Sequence, residues 1–354
     1  MAEKILMKGN EALAEAAIRA GCRCFFGYPI TPQTQVAEYM AKKLPKIGGV
    51  YLQSESEVSA INMVMGAVST GARAMTSSSS PGISLKAEGI SYIAGCDLPA
   101  VIVNMQRGGP GLGGIQPAQS DYYQATKGLA HGDFHLIVLA PCGVQEIVDL
   151  MGKAFDLADQ YRMPVMILGD GMLGQMMEPI TLPEPKEEDR SAKTWATSGT
   201  KGERKHNIVN SLYIQPDELE RLVRERYERY AQIERDEVMC EEYMVDDADI
   251  VIAAYGASAR IAKNAIAAAR AEGIKVGLLR PITLWPFPKA TFAKAAETAK
   301  AFLTVEMSMG QMVDDVKLAI ECKRHVHFFG RTGGVVPTPA EILAEIKKIH
   351  GGDR

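Results

Sequence analysis

Apolar and polar positions along this chain follow two rhythms that alternate. Short apolar, β-type runs fall at 24–27, 49–53, 72–77, 100–105, 135–139 and 164–168. Between them, apolar positions recur at helical spacing, at 33–42, 57–70, 83–95 and 144–160. Short buried strands separated by amphipathic helices predict a parallel sheet covered on both faces. Met1-Ala2-Glu3-Lys4 leads straight into an Ala-rich helical pattern, so the reading places no strand before the one at 24–27.

The rhythm breaks at Leu182. From there to about 215 prolines, charges, Gly and Ser/Thr dominate, which predicts a linker or a loosely structured excursion. Residues 216–242 are dense in Glu and Arg, with apolar positions at Leu219, Leu222, Val223, Tyr230 and Ile233. That pattern predicts one long solvated helix laced by i,i+4 ion pairs. A second strand-helix series follows: strand 249–256, helix 258–271, strand 274–279, a Pro-rich stretch 280–288, a helix, strand 301–306, a helix from 310 and strand 326–329. The organisation expected is an α/β domain at 1–181, a linker with a charged helix at 182–246, and a smaller α/β domain at 247–354.

Composition narrows the function classes. The chain has 354 residues, 47% hydrophobic and 23% charged, which suits a soluble globular protein of about two domains. A net charge of −4 argues against nucleic acid as the main partner. No secretory h-region and no bilayer-length apolar stretch is visible, so the expectation is a cytoplasmic chain with no membrane association. The six cysteines are scattered without a Cys-x-x-Cys pair, a spacing that supports neither an iron–sulfur cluster nor a zinc site.

In open α/β sheets ligands sit beyond the carboxyl ends of the strands, and three loops there carry candidate chemistry. The first is Tyr28-Pro29-Ile30-Thr31-Pro32, in which two prolines hold a single hydroxyl in a rigid turn. Thr31 either meets a ligand or caps the helix at 33–42. The second is Ser54-Glu55-Ser56-Glu57. Ser54 and Glu57 have capping-box spacing, and a carboxylate at that junction is also placed for proton transfer to a bound heterocycle. The third, 104–114, sets Arg107 among glycines, where its fork could clasp a carboxylate or ride on a flexible surface loop. The run Thr76-Ser77-Ser78-Ser79-Ser80-Pro81-Gly82 could line the same site with hydroxyls or cap the next helix. Gly169-Asp170-Gly171-Met172-Leu173-Gly174 matches a dinucleotide fingerprint, but the prolines at 179, 183 and 185 leave no room for the helix that motif needs.

Three motifs together resemble one family. Tyr28-Pro-Ile-Thr-Pro32, Gln53-Ser-Glu-Ser-Glu57 leading to Gly66-Ala67, and Gln106-Arg-Gly-Gly-Pro110 followed by Gln119-Ser-Asp121 are similar to the α subunit of 2-oxoacid:ferredoxin oxidoreductases. Gly111-Leu-Gly-Gly-Ile-Gln-Pro-Ala-Gln119 is most similar to the branched-chain type, which acts on 2-oxoisovalerate (3-methyl-2-oxobutanoate). The alternative is the 2-oxoglutarate type of the same complex class. The resemblance implies a thiamine-diphosphate-binding fold of the pyrimidine type plus a transketolase-C-terminal-like domain. It implies oxidative decarboxylation of the 2-oxoacid to an acyl-CoA, with ferredoxin as electron acceptor.

The resemblance also implies a division of labour. A partner β subunit would bind the diphosphate and Mg²⁺; iron–sulfur clusters would sit on partner subunits, among them γ and a ferredoxin-like δ. Gly169-Asp170-Gly171 resembles the start of a metal–diphosphate motif, but the asparagine pair it needs is missing, Asn207 and Asn210 being isolated. By matching position, Glu57 (or its neighbour Glu55) would hydrogen-bond the pyrimidine N1′ of thiamine diphosphate, with Tyr28 and Pro29 beside the ring. Thr31 and Arg107 would bind the 2-oxoacid. Two readings from other classes stand beside this one: a non-catalytic assembly subunit, and an NAD(P)-binding oxidoreductase using the 169–174 turn.

Overall fold

The computed structural model describes residues 4–187 and 190–352. The first unit opens with a strand β1 (Ile5–Lys8) and a helix α1 (Gly9–Arg19). It continues through β2 (Cys24–Gly27), α2 (Thr34–Lys43), β3 (Val50–Gln53), α3 (Glu57–Ser69), β4 (Ala74–Ser78) and α4 (Pro81–Gly95). It closes with β5 (Ala100–Gln106), α5 (Tyr122–Thr126), β6 (Ile137–Leu139), α6 (Val144–Tyr161), β7 (Pro164–Asp170), α7 (Gly171–Gln175) and β8 (Met177–Ile180). After the 182–215 stretch come α8 (Pro216–Asp236), β9 (Cys240–Tyr243), β10 (Ile250–Ala253), α9 (Gly256–Ala271), β11 (Val276–Pro281) and β12 (Thr283–Trp285). The last elements are α10 (Lys289–Thr298), β13 (Ala301–Glu306), α11 (Met312–Ala319), β14 (His325–Gly330) and α12 (Pro339–Gly351).

The first sheet has seven strands in the order β12-β6-β7-β5-β4-β2-β3. Every neighbouring pair is parallel except β12 with β6. Every residue of β4, β5, β6 and β7 is buried, as expected of strands covered on both faces. The second sheet has five strands, β14-β13-β10-β11-β9, with β9 antiparallel on one edge. The α/β class with parallel sheets is as the sequence pattern predicts.

Four local expectations fail, each for a visible reason. Ile5–Lys8 is a strand because it pairs antiparallel with β8, a partner remote in sequence that periodicity does not reveal. The charged helix stops at Asp236 rather than 242, since Cys240–Tyr243 is taken by the edge of β11. Thr283–Trp285, read as part of a Pro-rich connection, leaves its own unit and completes the first sheet beside β6. Residue 135 lies before its strand, which begins at Ile137. The 182–215 stretch carries no helix or strand among its described residues, yet it is tied down. Lys186 N–H donates to Arg19 O at 2.7 Å, and Thr197 N–H donates to Ser69 O at 2.8 Å.

The two units share a core, in which Trp285, Phe287 and Phe292 join Val138 and Leu139. Polar contacts lock the same interface. Gln119 donates to Tyr255 O at 2.8 Å and accepts from Ser258 Oγ at 2.6 Å and Met307 N–H at 3.0 Å. Tyr122 donates to Asp315 at 2.5 Å. The carboxyl end of the first sheet is thereby roofed on one side by the second unit.

Asp170, at the end of β7, provides a pH test of this packing. Its Oδ1 accepts from Met172 N–H at 2.9 Å and Leu173 N–H at 3.1 Å, capping α7. Burial nevertheless lifts its carboxyl from 3.8 to about 6. Between those values the folded chain holds a proton that the unfolded chain has lost, so stability falls as pH rises through the window. Asp170→Asn retains the acceptor and removes the buried charge. It should flatten the change in Tm between about pH 4 and 6, while the charge lost to the Leu173, Met172 and Ala257 N–H donors offsets part of the gain at neutral pH. Thermal unfolding at several pH values checks this; an unchanged profile would show that Asp170 is not the group responsible.

Candidate active site

The Tyr28–Pro32 loop leaves β2 and is pinned from below. Gln33 accepts from Ser77 Oγ at 2.5 Å and donates to Tyr28 O at 3.3 Å, while Asn10 Nδ2 donates to Pro32 O at 2.8 Å. Helix α2 begins at Thr34, with Gln33 at its N-cap and no side-chain cap bond. Thr31 therefore does not cap the helix, which removes the structural alternative for it. Its side chain is exposed, and its carbonyl accepts from Arg107 Nη1 at 2.9 Å. Tyr28 and Pro29 beside it are exposed as well.

The capping box expected of Ser54 and Glu57 is absent. Ser56, not Ser54, is the N-cap of α3, accepting from Ser59 N–H at 3.1 Å. Ser54 Oγ is engaged instead with Gly27 O and Ser56 O, at 3.1 and 3.0 Å. With the helix beginning two residues later than the box requires, Glu57 is its first residue and has no cap to close. Its carboxylate turns inward and is 5% exposed, whereas Glu55 faces solvent. Glu57 Oε1 and Ser78 Oγ converge on Gly82, where a Cβ would stand 2.6 and 2.0 Å from them. The absence of a side chain at 82 is what admits both polar groups.

Arg107 is 7% exposed. Its Nη2 donates to Leu112 O at 3.1 Å, closing the glycine loop, and its Nε has no partner among the described residues. The loop is tight rather than loose: Gly113 has φ +59°, and a Cβ there would meet Gly108 O at 2.0 Å. Behind Arg107, Ser80 donates to Asp121 at 2.5 Å and accepts from Arg107 N–H at 3.1 Å. Asn104 adds a second donor to Asp121 at 2.9 Å. Burial raises the Asp121 carboxyl, and these two donors oppose the rise. A cleft of about 700 Å³ opens here between the two units, walled by Ser80, Arg107, Gly109, Asp121, Gln311 and Thr332 among others.

The structure thus brings Thr31 directly to Arg107. Glu57 meets the 76–82 run at Ser78 and Gly82, and Arg107 meets the same run at Ser80. Thr76 Oγ1, Ser78 Oγ and Ser79 Oγ are buried and unpartnered among the described residues, and none of them caps the next helix, whose N-cap Ser80 makes no side-chain cap bond. Sequence reasoning missed Lys86, a fully buried cation on α4 next to this run. The glycines at 82 and 89, four before and three after it, were the available signal. The dinucleotide reading of 169–174 fails on geometry. Helix α7 is only five residues long, and its leading N–H groups are already taken by Asp170.

The sequence signature described as pyruvate flavodoxin/ferredoxin oxidoreductase, thiamine diP-binding, matches residues 15–244, and that of pyruvate:ferredoxin oxidoreductase core domain II matches 248–342. The ketoisovalerate oxidoreductase subunit VorB of Methanothermobacter marburgensis is 51% identical over 346 residues, covering 98% of both chains. The chain belongs to the 2-oxoacid:ferredoxin oxidoreductase family. Within this family, the 2-oxoglutarate synthase subunit KorA of Methanothermobacter thermautotrophicus is 38% identical over 99% of this chain and 100% of its own. A solved 2-oxoglutarate:ferredoxin oxidoreductase from Magnetococcus marinus, with 2-oxoglutarate, coenzyme A and succinyl-CoA bound, superposes with a TM-score of 0.87 at 29% identity. That match covers 98% of this chain and 65% of the other. A split-gene transketolase shares the fold, at TM-score 0.60 and 14% identity. The family's signature is described as thiamine-diphosphate-binding, and the residues present fit a polar heterocycle: the buried Glu57 carboxylate and the unpartnered Ser78 hydroxyl meet at Gly82, where no side chain intrudes. Among the described residues no group of three or more His, Cys, Asp and Glu could hold a metal ion, and no helix is long and apolar enough to cross a membrane.

Proposed function

We propose that this chain is the α subunit of a ketoisovalerate (2-oxoisovalerate):ferredoxin oxidoreductase and converts its 2-oxoacid to the branched acyl-CoA with reduction of ferredoxin. The observation that carries the substrate is the 51% identity to a ketoisovalerate oxidoreductase subunit over nearly the whole chain, against 38% to a 2-oxoglutarate synthase subunit. The cleft agrees: Arg107 is the one cation among its described lining residues. A single guanidinium suits one carboxylate, and a dicarboxylic acid would call for a second. Leu112 and Ile115, exposed on the loop that Arg107 closes, present apolar surface suited to a branched side chain.

Thiamine diphosphate, once bound, supplies the carbanion chemistry that splits off CO₂. Glu57 would hold a proton at the pyrimidine N1′, with Tyr28 and Pro29 against the ring. Arg107 would orient the substrate carboxylate, and the Thr31 hydroxyl would donate to the same substrate. A partner β subunit would cover Tyr28, Leu52 and Val58 and bring the diphosphate site with its Mg²⁺; apolar surface of this kind at a site mouth marks an interface. γ and ferredoxin-like δ subunits would hold the iron–sulfur clusters that pass electrons to ferredoxin, in the cytoplasm. The test is viologen reduction by the complex purified anaerobically with the tagged chain, given thiamine diphosphate, Mg²⁺ and coenzyme A. Preference for 2-oxoisovalerate over 2-oxoglutarate and pyruvate is expected. Preference for 2-oxoglutarate would replace the substrate, and no reduction by an intact complex would return the chain to an assembly role.

Arg107→Ala should lower kcat/KM for the 2-oxoacid roughly a hundredfold while the affinity for thiamine diphosphate stays unchanged. Steady-state kinetics with calorimetric cofactor titration separates the two. An unaltered kcat/KM would remove Arg107 from the substrate site.

A further inference from the structure

Residues 119–123 belong to the first unit by sequence, yet their bonds tie them to the second. Gln119 is fixed by Tyr255, Ser258 and Met307, and Gln311 Nε2 donates to Ser120 O at 2.8 Å. Tyr122 donates to Asp315, and Tyr123 N–H donates to Gln311 Oε1 at 2.8 Å. Asp121, in the middle, turns back into the first unit. Its N–H donates to Gln106 Oε1 at 3.1 Å, and its carboxylate accepts from Ser80 and Asn104. Asn104 and Gln106 stand two residues apart on one face of β5, both fully buried.

The far end of these bonds is the main chain of Arg107. Ser80 Oγ accepts the Arg107 N–H at 3.1 Å and gives its own proton to Asp121 Oδ2 at 2.5 Å. Asn104 bridges the same pair: its Oδ1 accepts from Ser80 N–H at 3.0 Å and its Nδ2 donates to Asp121 Oδ2 at 2.9 Å. Ser80 has φ +25° and ψ −82°, a conformation that a residue with a side chain keeps only where its surroundings impose it. Here the bonds to Asn104 and Asp121 impose it. The guanidinium end of Arg107 is pinned separately, by Thr31 O and Leu112 O. Arg107 is thus held at both ends, and its buried Nε is left without a partner among the described residues.

We propose that Asp121 is a positioning residue for Arg107. Anchored by the second unit, it fixes Ser80 and through Ser80 the main chain of Arg107, and so sets where the guanidinium meets the 2-oxoacid carboxylate. The inference rests on Arg107 being the residue that clasps that carboxylate. Asp121 does this by accepting hydrogen bonds rather than by its charge. Both donors reach Oδ2, and Oδ1 accepts no hydrogen bond among the described residues. An amide oxygen has two lone pairs and can take both bonds, so Asp121→Asn keeps the link. Asp121→Ala breaks it. The Asn104 amide then loses an acceptor, the Ser80 hydroxyl is freed toward Arg107 O at 3.2 Å, and the strained turn can relax.

The experiment follows viologen reduction by the assembled complex against 2-oxoisovalerate concentration. Calorimetric titration with thiamine diphosphate and Mg²⁺ counts the folded sites, so that rates are per site. D121A should lower kcat/KM for the 2-oxoacid roughly tenfold, mainly through KM, with the cofactor's stoichiometry and affinity unchanged. D121N should stay within a few-fold of the parent. In the R107A background, D121A should change kcat/KM by less than about twofold, because its effect travels through the missing side chain. A parent-like kcat/KM in D121A, an equal loss in D121N, or the same loss with and without Arg107 overturns the proposal. Fewer sites with an unchanged rate per site would assign Asp121 to folding and overturn it too. A parent-like kcat/KM in R107A overturns instead the role of Arg107, so the two failures are distinct. If D121A does not assemble, Ser80→Ala carries the test, since it removes the hydroxyl that joins Asp121 to Arg107. S80A should show the same roughly tenfold loss, absent in the R107A background. Parent-like kcat/KM in S80A overturns the proposal.

Discussion

Glu57→Gln should abolish substrate-dependent viologen reduction, by roughly three orders of magnitude, while the complex assembles and unfolds as the parent does. The carboxylate is placed for one task. It is 5% exposed, it makes no cap to its own helix, and it converges with Ser78 on a glycine rather than on a cation within bonding distance. Glutamine keeps the shape and a hydrogen-bonding end but cannot carry a proton to a ring nitrogen, and proton transfer by a positioned side chain contributes about 10²–10⁴-fold. Because Glu57 closes no capping box, the substitution costs α3 no cap bond, and the loss should appear in kcat and not in Tm. Turnover within a few-fold of the parent would remove Glu57 from the reaction.

The architecture was legible in the sequence because burial on both faces writes a strand as an unbroken apolar run. Ala301–Glu306, buried along its whole length, was readable to the residue for that reason. Elements that exist through a distant partner were not: β1 needs β8, β9 needs β11 and β12 needs β6. The site shows the same division. Thr31 and Arg107 stand out as polar residues at strand ends among Pro and Gly, Glu57 as a carboxylate in a Ser/Glu run after a strand, and the fold brings Thr31 and Arg107 to a hydrogen bond. The Ser54–Glu57 capping box was wrong because the hydroxyl of Ser54 is claimed by Gly27 O across the β2–β3 pair, which leaves Ser56 to start the helix. Lys86 was invisible because one lysine in an amphipathic helix reads as a solvated face. Its burial follows from how closely α3 approaches, and the glycines that set that approach do their work only in three dimensions.

Gly82→Ala should cost roughly a hundredfold in activity, short of the loss expected of Glu57→Gln, while changing stability little. The new Cβ would lie 2.0 Å from Ser78 Oγ and 2.6 Å from Glu57 Oε1, distances that no packed structure sustains. Ser78 has no hydrogen-bond partner among the described residues and can rotate away. Glu57 Oε1 is the far end of a flexible side chain on the first residue of its helix, so the strain is relieved by turning the carboxylate out of its cradle. Helix propensity even favours Ala over Gly in α4 by about 0.5–1 kcal/mol, against an overpacking cost of about 1–3 kcal/mol. The net change in stability is therefore small, but a carboxylate displaced by about 1 Å forfeits roughly a hundredfold in rate. Gly89→Ala is the control on the same helix face. Its Cβ would meet Ile61 Cγ2 at 2.4 Å, a branched side chain in the core with no nearby route of escape. That variant should lose Tm while the folded complex keeps its kcat. If G82A turns over normally, the Gly82 cradle does not position Glu57. If G82A and G89A lose activity and Tm in the same proportion, the seam between α3 and α4 supports the fold alone.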